Sequence, residues 1–67
     1  MNQTVVYYEF EPIMGVHTTY HDGIQFHYDR FSSMYLFNIW VQCELSGCKT
    51  VEITDDNYKV LKAKGLI

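Results

Sequence analysis

Residues 34–45, MYLFNIWVQCEL, form the longest apolar stretch of the chain, and the rest of the fold must bury at least one side of it. If the stretch is a strand, one side is wholly apolar: Tyr35, Phe37, Ile39, Val41, Cys43 and Leu45. The opposite side is mixed: Leu36, Asn38, Trp40, Gln42 and Glu44. If it is a helix capped by Ser33, apolar residues surround the whole circumference. The aromatic and β-branched content favours a strand, so a strand is predicted and a helix is the alternative.

The length of 67 residues predicts a single domain, residues 1–67, with a small core. A domain of this size buries only about 60% of the surface that its unfolded chain exposes, so its stability is marginal without a disulfide, a metal or self-association. Two cysteines permit at most one disulfide, and 48% of the residues are hydrophobic, including six tyrosines, four phenylalanines and one tryptophan. The composition therefore favours a homo-oligomer, and most simply a homodimer.

Charge and targeting signals narrow the class of protein. The first 29 residues contain no Lys or Arg and no long apolar run follows Met1, so no signal peptide is expected. Asn38, Gln42 and Glu44 interrupt the longest apolar stretch, so no membrane span is expected. A cytoplasmic protein with reduced thiols is predicted. The net charge of −3 repels phosphate, which argues against direct nucleic-acid binding.

The first half of the chain predicts three antiparallel strands. Residues 4–11 alternate with Val6, Tyr8 and Phe10 facing inwards, and Pro12 ends this strand. Residues 15–31 predict a hairpin around the turn sequence His21-Asp22-Gly23. A three-residue loop with Gly23 in the left-handed conformation places the larger apolar groups on one face. Its register pairs Tyr20 with Ile24, Thr18 with Phe26, and Val16 with Tyr28.

A second hairpin is predicted around the loop Leu45, Ser46 and Gly47. This loop pairs Val41 with Val51 and Ile39 with Ile53, with Gly47 left-handed. Cys43 then points to the apolar face and Cys48 to the opposite face, which is poor geometry for a disulfide. Two free thiols are therefore expected.

The end of the chain predicts a helix of about ten residues. Thr54 is suited to cap it, Asp55 and Asp56 suit its positive end, and Ile53 and Tyr58 suit a hydrophobic staple. Lysines fill the last turns, and Gly65 stands where a left-handed stop belongs, with Leu66 folding back on Leu61. The predicted fold is therefore α+β: a small antiparallel meander of four to five strands with one C-terminal α-helix packed on one face.

Residues with catalytic or metal-binding chemistry are few. In the predicted register His17 faces His27, with Asp29 and His21 nearby, so these histidines are weak candidates for a metal site against the alternative of exposed polar residues. No feature lowers the pKa of either thiol, the pair Glu9 and Glu11 suits a solvated strand face, and no glycine-rich phosphate loop is present. The sequence predicts no enzyme and no cofactor.

The aromatic content instead indicates binding, because Tyr and Trp give a large contact area at low entropy cost. The predicted partner-binding residues are Tyr7, Glu9, Glu11, Leu36 and Trp40, which the strand interpretation places away from the helix. The favoured hypothesis is a non-enzymatic protein-binding module that acts as a homodimer through a sheet face or an edge strand. The alternative is a homo-oligomeric protein that binds a nucleotide-like small molecule stacked on Trp40. A purely structural subunit of a larger assembly is a third hypothesis.

In composition, the small, acidic and aromatic-rich chain resembles the compact inhibitors that phages and mobile elements encode against host enzymes and defence complexes. This resemblance implies a protein partner. If that partner handles nucleic acid, the acidic residues could compete for its basic groove, and their alternative role is ordinary solubility. These residues are Glu9, Glu11, Asp22, Asp29 and Glu44.

Overall fold

The computed structural model describes residues 4–44 and 47–67, which form a mixed β-sheet and two helices. The elements in chain order are β1 (Val5–Glu11), β2 (Gly15–His21), β3 (Phe26–Phe31), α1 (Met34–Glu44), β4 (Lys49–Glu52) and α2 (Asp55–Ala63). The four strands lie in the order β3-β2-β1-β4. The first three form an antiparallel meander, and β4 pairs with β1 in parallel. The predicted α+β class is confirmed, whereas an all-antiparallel sheet and a single helix are not found.

The predicted strand at residues 34–45 is wrong, because Met34–Glu44 is the helix α1. Ser33 starts this helix: its hydroxyl accepts from Leu36 N–H at 3.3 Å, and its carbonyl accepts from Phe37 N–H at 3.2 Å. Phe37 is buried, and Met34, Trp40 and Val41 pack beside it at helical spacing. The remaining apolar residues of α1 stay exposed. The strand prediction failed because it rejected a helix whose apolar residues surround the whole circumference, whereas several apolar side chains of α1 stay exposed.

The second predicted hairpin is also wrong, because a helix precedes β4. A parallel strand needs a crossover connection, and α1 lies in the connection that brings β4 alongside β1. Val51 lies beside Tyr7 and not beside Val41. Gly47 has the predicted left-handed conformation, with φ of 87°. The predicted loop residues Leu45 and Ser46 lie outside the described residues.

The β2–β3 hairpin is present, but its register differs from the predicted one. His21 pairs with Phe26 and Tyr20 with His27, so that residues 22–25 form the loop. The Asp22 carboxylate accepts from the N–H groups of Ile24 at 2.7 Å and of Gln25 at 2.9 Å, which stabilises this longer loop. Gly23 is left-handed, as predicted. The pairing is displaced by three residues from the predicted one, and an odd displacement moves every β3 side chain to the opposite face.

The face of the sheet under α1 carries the main core. Val6 and Val16 are fully buried there with Phe37. Phe37 contacts three other aromatic rings, at centroid distances of 4.9 Å to Tyr8, 5.9 Å to Phe31 and 6.3 Å to Trp40. The inward direction of Val6 and Tyr8 agrees with the prediction. Because few side chains of the described residues are fully buried, these contacts contribute a large share of the apolar stabilisation.

Helix α2 follows the local signals of its sequence. The Thr54 hydroxyl accepts from Asn57 N–H at 3.3 Å, and the Asn57 side chain accepts from Thr54 N–H at 2.7 Å, which forms a capping box. At the other end, Gly65 has a φ of 73° and Leu66 N–H donates to the Leu61 carbonyl at 3.0 Å. The predicted cap and stop are therefore confirmed. No helix within residues 4–44 and 47–67 has the length and apolarity needed to cross a membrane.

Candidate functional site

The face of the sheet opposite α1 carries an open surface between β3 and α2, which we call the aromatic groove. The strand residues on this face come from alternate positions of β1, β2 and β3. One cavity of about 450 Å³ is lined by Val5, Tyr7, His21, Phe26, Gly65 and Leu66. Another, of about 300 Å³, is lined by Glu9, His17, Thr19, Tyr28, Ile53, Tyr58, Lys62 and Ile67. The two cavities take their linings from the same three strands and from α2 with its C-terminal extension.

One wall of the aromatic groove is formed by β3, the strand at the edge of the sheet. Phe26 and Tyr28 stack with their ring centroids 6.2 Å apart, and His21 meets Phe26 edge-on at 4.8 Å. Tyr28 nevertheless leaves 70% of its surface exposed. Rings held by their neighbours lose little conformational entropy when a partner covers them. This wall is therefore an aromatic surface that faces solvent.

The opposite wall is formed by α2 and the residues that follow it. Tyr58 and Lys62 project from the helix, and Leu66 and Ile67 come from the extension beyond it. The left-handed Gly65 reverses the chain, so that Leu66 returns towards the sheet instead of continuing the helix. The same local stop signal that ends α2 thus also places apolar side chains in the groove.

Charged residues gather at one end of the aromatic groove. Glu9 lies beside His17 on the neighbouring strand, and His17 lies beside Arg30. Lys62 of α2 lines the cavity next to Glu9 and His17. The groove therefore has an aromatic end around Phe26 and a polar end that presents both signs of charge.

A second polar feature, the hydrogen-bonded pair of Asp22 and His27, lies outside the groove at the β2–β3 loop. His27 Nε2 and Asp22 Oδ2 are 2.6 Å apart, and the His27 ring stacks on Tyr20 at 4.8 Å. The bond from His27 and the backbone N–H groups of Gln25 and Ile24 hold the pKa of Asp22 well below its usual range. Burial, followed by the charges of nearby carboxylates, raises the pKa of Tyr20. The arrangement fixes the loop and the orientation of the imidazole.

The two histidines that were weak candidates for a metal site, His17 and His27, do not come together. His17 pairs with Arg30 and faces the aromatic groove, whereas His27 pairs with Tyr20 and faces the α1 side. The odd register displacement separates the two side chains onto opposite faces. Within the described part of the chain, no three His, Cys, Asp or Glu residues are grouped to hold a metal ion.

The predicted partner-binding residues do not form one surface. Tyr7 and Glu9 line the aromatic groove. The Glu11 carboxylate is engaged in the β1–β2 turn, where it accepts from Met14 N–H at 2.6 Å. Leu36 is exposed on α1, and Trp40 packs into the core with its ring 5.0 Å from Phe31. A role for any of the five in binding a partner stays a prediction.

The groove residues that sequence reasoning missed are mainly Phe26, Tyr28, Tyr58 and Leu66. Phe26 and Tyr28 had been assigned to the covered face because of the register error. Their alternation with His27 and Asp29 was visible in the sequence, and the correct loop length would have placed them on the open face.

The acidic residues and the thiols are likewise dispersed. Asp29 pairs with Thr18 on the α1 side, whereas Glu9 faces the groove, so these acids share no single face.

Both cysteines are free, as expected, but Cys43 is exposed and Cys48 packs against the core, opposite to the predicted orientations. Burial raises the pKa of the Cys48 thiol, which makes it a poorer nucleophile.

Comparison of the chain with protein-family models, with curated proteins and with solved structures finds no match.

Proposed function

We propose that the protein is a non-enzymatic protein-binding module and that the aromatic groove is its docking surface. The observation that carries this proposal is the exposed, stacked pair Phe26 and Tyr28, which faces Tyr58 and Leu66 across the sheet. Contiguous exposed apolar surface is rare on small proteins unless it binds something, and tyrosine is enriched where binding energy is concentrated. A short apolar segment of another protein fits between the two walls.

The polar end of the groove gives such a segment an orientation. Arg30 and Lys62 provide donors for a carboxylate, and Glu9 provides an acceptor for a lysine or an arginine. A segment with apolar residues at one end and charged residues at the other therefore matches the groove in one direction only. The proposed partner is a protein that exposes a segment of this kind.

The thiols and histidines support a non-enzymatic role. Nucleophilic catalysis needs an activated thiolate, and the half-buried Cys48 has a raised pKa. His27 is held by Asp22 and stacked on Tyr20, in an arrangement that serves the loop. The narrower hypothesis from composition, an inhibitor of a host enzyme or defence complex, remains a proposal that the identity of the partner tests.

A matched pair of tyrosine substitutions tests the groove. Tyr58 lies on α2 in the groove and is 45% exposed, and Tyr35 lies on α1 on the other side of the sheet and is 72% exposed. Wild type, Tyr58→Ser and Tyr35→Ser are used in quantitative affinity capture from the native host. We expect proteins captured by wild type and by Tyr35→Ser to be depleted about tenfold with Tyr58→Ser. Equal capture by both variants would contradict the proposal.

A photo-crosslinking side chain at the same two positions then distinguishes direct contact from indirect effects. The captured protein should be crosslinked from position 58 and not from position 35. Melting temperatures of all variants are measured in parallel, because loss of capture counts only where the variant remains folded.

The second candidate function is small-molecule binding, and the larger cavity favours it. Its volume of about 450 Å³ falls within the usual range for ligand pockets, and its lining mixes Tyr7, His21 and Phe26. Trp40 packs in the core, so an aromatic ligand would stack on Phe26 or Tyr28 instead. A thermal-shift screen against nucleotides separates the two functions, because a ligand at a hundred times its Kd raises the unfolding free energy by about 2.7 kcal/mol.

A further inference from the structure

Strand β3 is an edge strand that the fold leaves open. Within residues 4–44 and 47–67, β2 is its only strand neighbour. It is six residues long, contains no proline, and pairs with β2 without a bulge. The other edge, β4, is four residues long, and both its first and last residues, Lys49 and Glu52, are charged. Proteins usually protect edges by shortness, charge, proline or bulges. Both edges carry two charged residues, Asp29 and Arg30 in β3, so the greater length of β3 makes it the less protected of the two.

The hairpin geometry shows which backbone groups β3 presents to the outside. Asp22 N–H donates to the Gln25 carbonyl at 3.2 Å, which begins the ladder between β2 and β3. Antiparallel pairs alternate between bonded and non-bonded, so His27, Asp29 and Phe31 direct their backbone groups towards β2. The residues between them therefore direct N–H and C=O outwards: Phe26, Tyr28 and Arg30.

We propose that β3 pairs antiparallel with β3 of a second copy of this chain, about a twofold axis at Tyr28, and that the two sheets become one. The outward groups form about six intermolecular backbone hydrogen bonds, two in each of three bonded pairs. Few side chains are buried among residues 4–44 and 47–67 of one chain, so a supplement of this kind would stabilise the fold. This inference does not rest on the docking of another protein in the aromatic groove.

The side chains select this register among the possible ones. A twofold axis at Asp29 would place the two Asp29 carboxylates directly opposite each other, which is destabilising. An axis at His27 would overlap only three residues of each strand. An axis at Tyr28 overlaps five residues of each strand and brings attracting side chains together. His27 lies against Asp29 of the partner subunit, and Phe26 lies against Arg30 of the partner subunit.

These contacts are chemically complementary. Asp22 occupies Nε2 of the His27 ring, so in a protonated imidazole Nδ1–H is the donor left for the carboxylate of the second copy. A guanidinium over the Phe26 ring adds a cation–π contact on the groove face. Each pair occurs twice because of the twofold symmetry. The two aromatic grooves then lie on one continuous face, with the Tyr28 side chains next to each other.

Cysteine crosslinking tests the register in a Cys43→Ser, Cys48→Ala background. The α-carbons of the two residues at the axis would lie about 5.5 Å apart, within disulfide range. Tyr28→Cys should therefore form a covalent dimer on mild oxidation. Phe26→Cys by itself and Arg30→Cys by itself should form no intermolecular disulfide. A mixture of the two variants should form a covalent dimer. Self-crosslinking of Asp29→Cys, or no crosslinking of Tyr28→Cys, would overturn the proposal.

Sedimentation of untagged protein tests the backbone pairing itself. Tyr28→Pro removes an outward N–H and leaves the ladder to β2 intact, whereas Tyr28→Ala removes only the side chain. We expect the proline variant to raise the dimer Kd at least about tenfold more than the alanine variant does. Equal effects, or a wild-type monomer at all concentrations, would refute strand pairing. Tyr58→Ser serves as the control that leaves the edge unchanged, and it should remain dimeric.

Discussion

The Asp22 carboxylate and the His27 imidazole lie 2.6 Å apart, and they join the start of the β2–β3 loop to the second residue of β3. The same carboxylate accepts the N–H groups of Ile24 and Gln25. One side chain thus holds both the loop backbone and the ring that stacks on Tyr20. The ionised form of Asp22 is the form that these bonds require.

The stability of the protein should therefore depend on pH through Asp22. Its pKa is lowered in the folded state, so its contribution is complete above the ordinary carboxyl pKa, near 4, and declines as pH falls below that value. We expect Asp22→Asn to lower the free energy of unfolding at pH 6 and to differ less from wild type at pH 3. Urea unfolding at pH 6 and at pH 3 measures the difference in the free energy of unfolding. Glu9→Gln is the control for the loss of one charge. A constant difference between wild type and Asp22→Asn would contradict it.

Gly15 and Gly23 provide a matched pair of left-handed glycines. Gly15 has a φ of 96°, and a Cβ on it would clash with the Phe31 carbonyl oxygen, whereas a Cβ on Gly23, with a φ of 98°, would meet no atom within 4 Å. Gly23→Ala should destabilise by roughly 1–2 kcal/mol through backbone strain alone. Gly15→Ala should add an overpacking cost on the order of 1–3 kcal/mol. Chemical denaturation of both variants checks the order, and equal losses would show that the Phe31 contact relaxes freely.

The capping box of α2 should behave as a coupled pair. Thr54→Ala should lower the unfolding free energy by about 1 kcal/mol. Asn57→Ala should cost at least as much, because the Asn57 side chain also donates to the Glu52 carbonyl at 2.9 Å. In the double variant the losses should be less than additive, since the two side chains satisfy each other's backbone groups. Full additivity in thermal or urea unfolding would argue against the box.

Phe37 should be the most sensitive position of α1. It is 1% exposed and contacts three aromatic rings, so Phe37→Ala should cost about 3–5 kcal/mol, which in so small a domain is enough to unfold much of the protein. Leu36→Ala, at the neighbouring exposed position, should change stability by less than about 0.5 kcal/mol. Unfolding in denaturant, followed by circular dichroism, compares the stabilities of Phe37→Ala and Leu36→Ala. A strand with alternating burial would give Tyr35 the same sensitivity as Phe37, so Tyr35→Ala adds a third measurement.

Sequence reasoning succeeded where local chemistry decides the structure. Thr54, the two aspartates after it and Gly65 specify α2 almost without tertiary contacts. It failed at residues 34–44, where β-propensity competed with burial against a sheet whose position was unknown. One wrong element changed the topology, because a strand there implies a hairpin and a helix there permits the parallel β4.

The aromatic groove was recovered only in part, for a related reason. Tyr7 and Glu9 were placed correctly, because the alternation of β1 does not depend on a loop. Phe26 and Tyr28 were assigned to the wrong face, because the β2–β3 register depends on how Asp22 bonds to the loop backbone. The composition indicated that aromatic residues would be exposed, and only the register could show which tyrosines line the groove.

The parallel pairing of β1 with β4 also has a consequence for folding order. Val5 meets Lys49, a residue 44 positions further along the chain, whereas β2 and β3 contact their neighbours across short turns. Closing so long a segment carries a larger entropic penalty than closing a hairpin. During synthesis, one side of β1 therefore waits unpaired until β4 has left the ribosome, and we expect aggregation to begin from that strand in this interval.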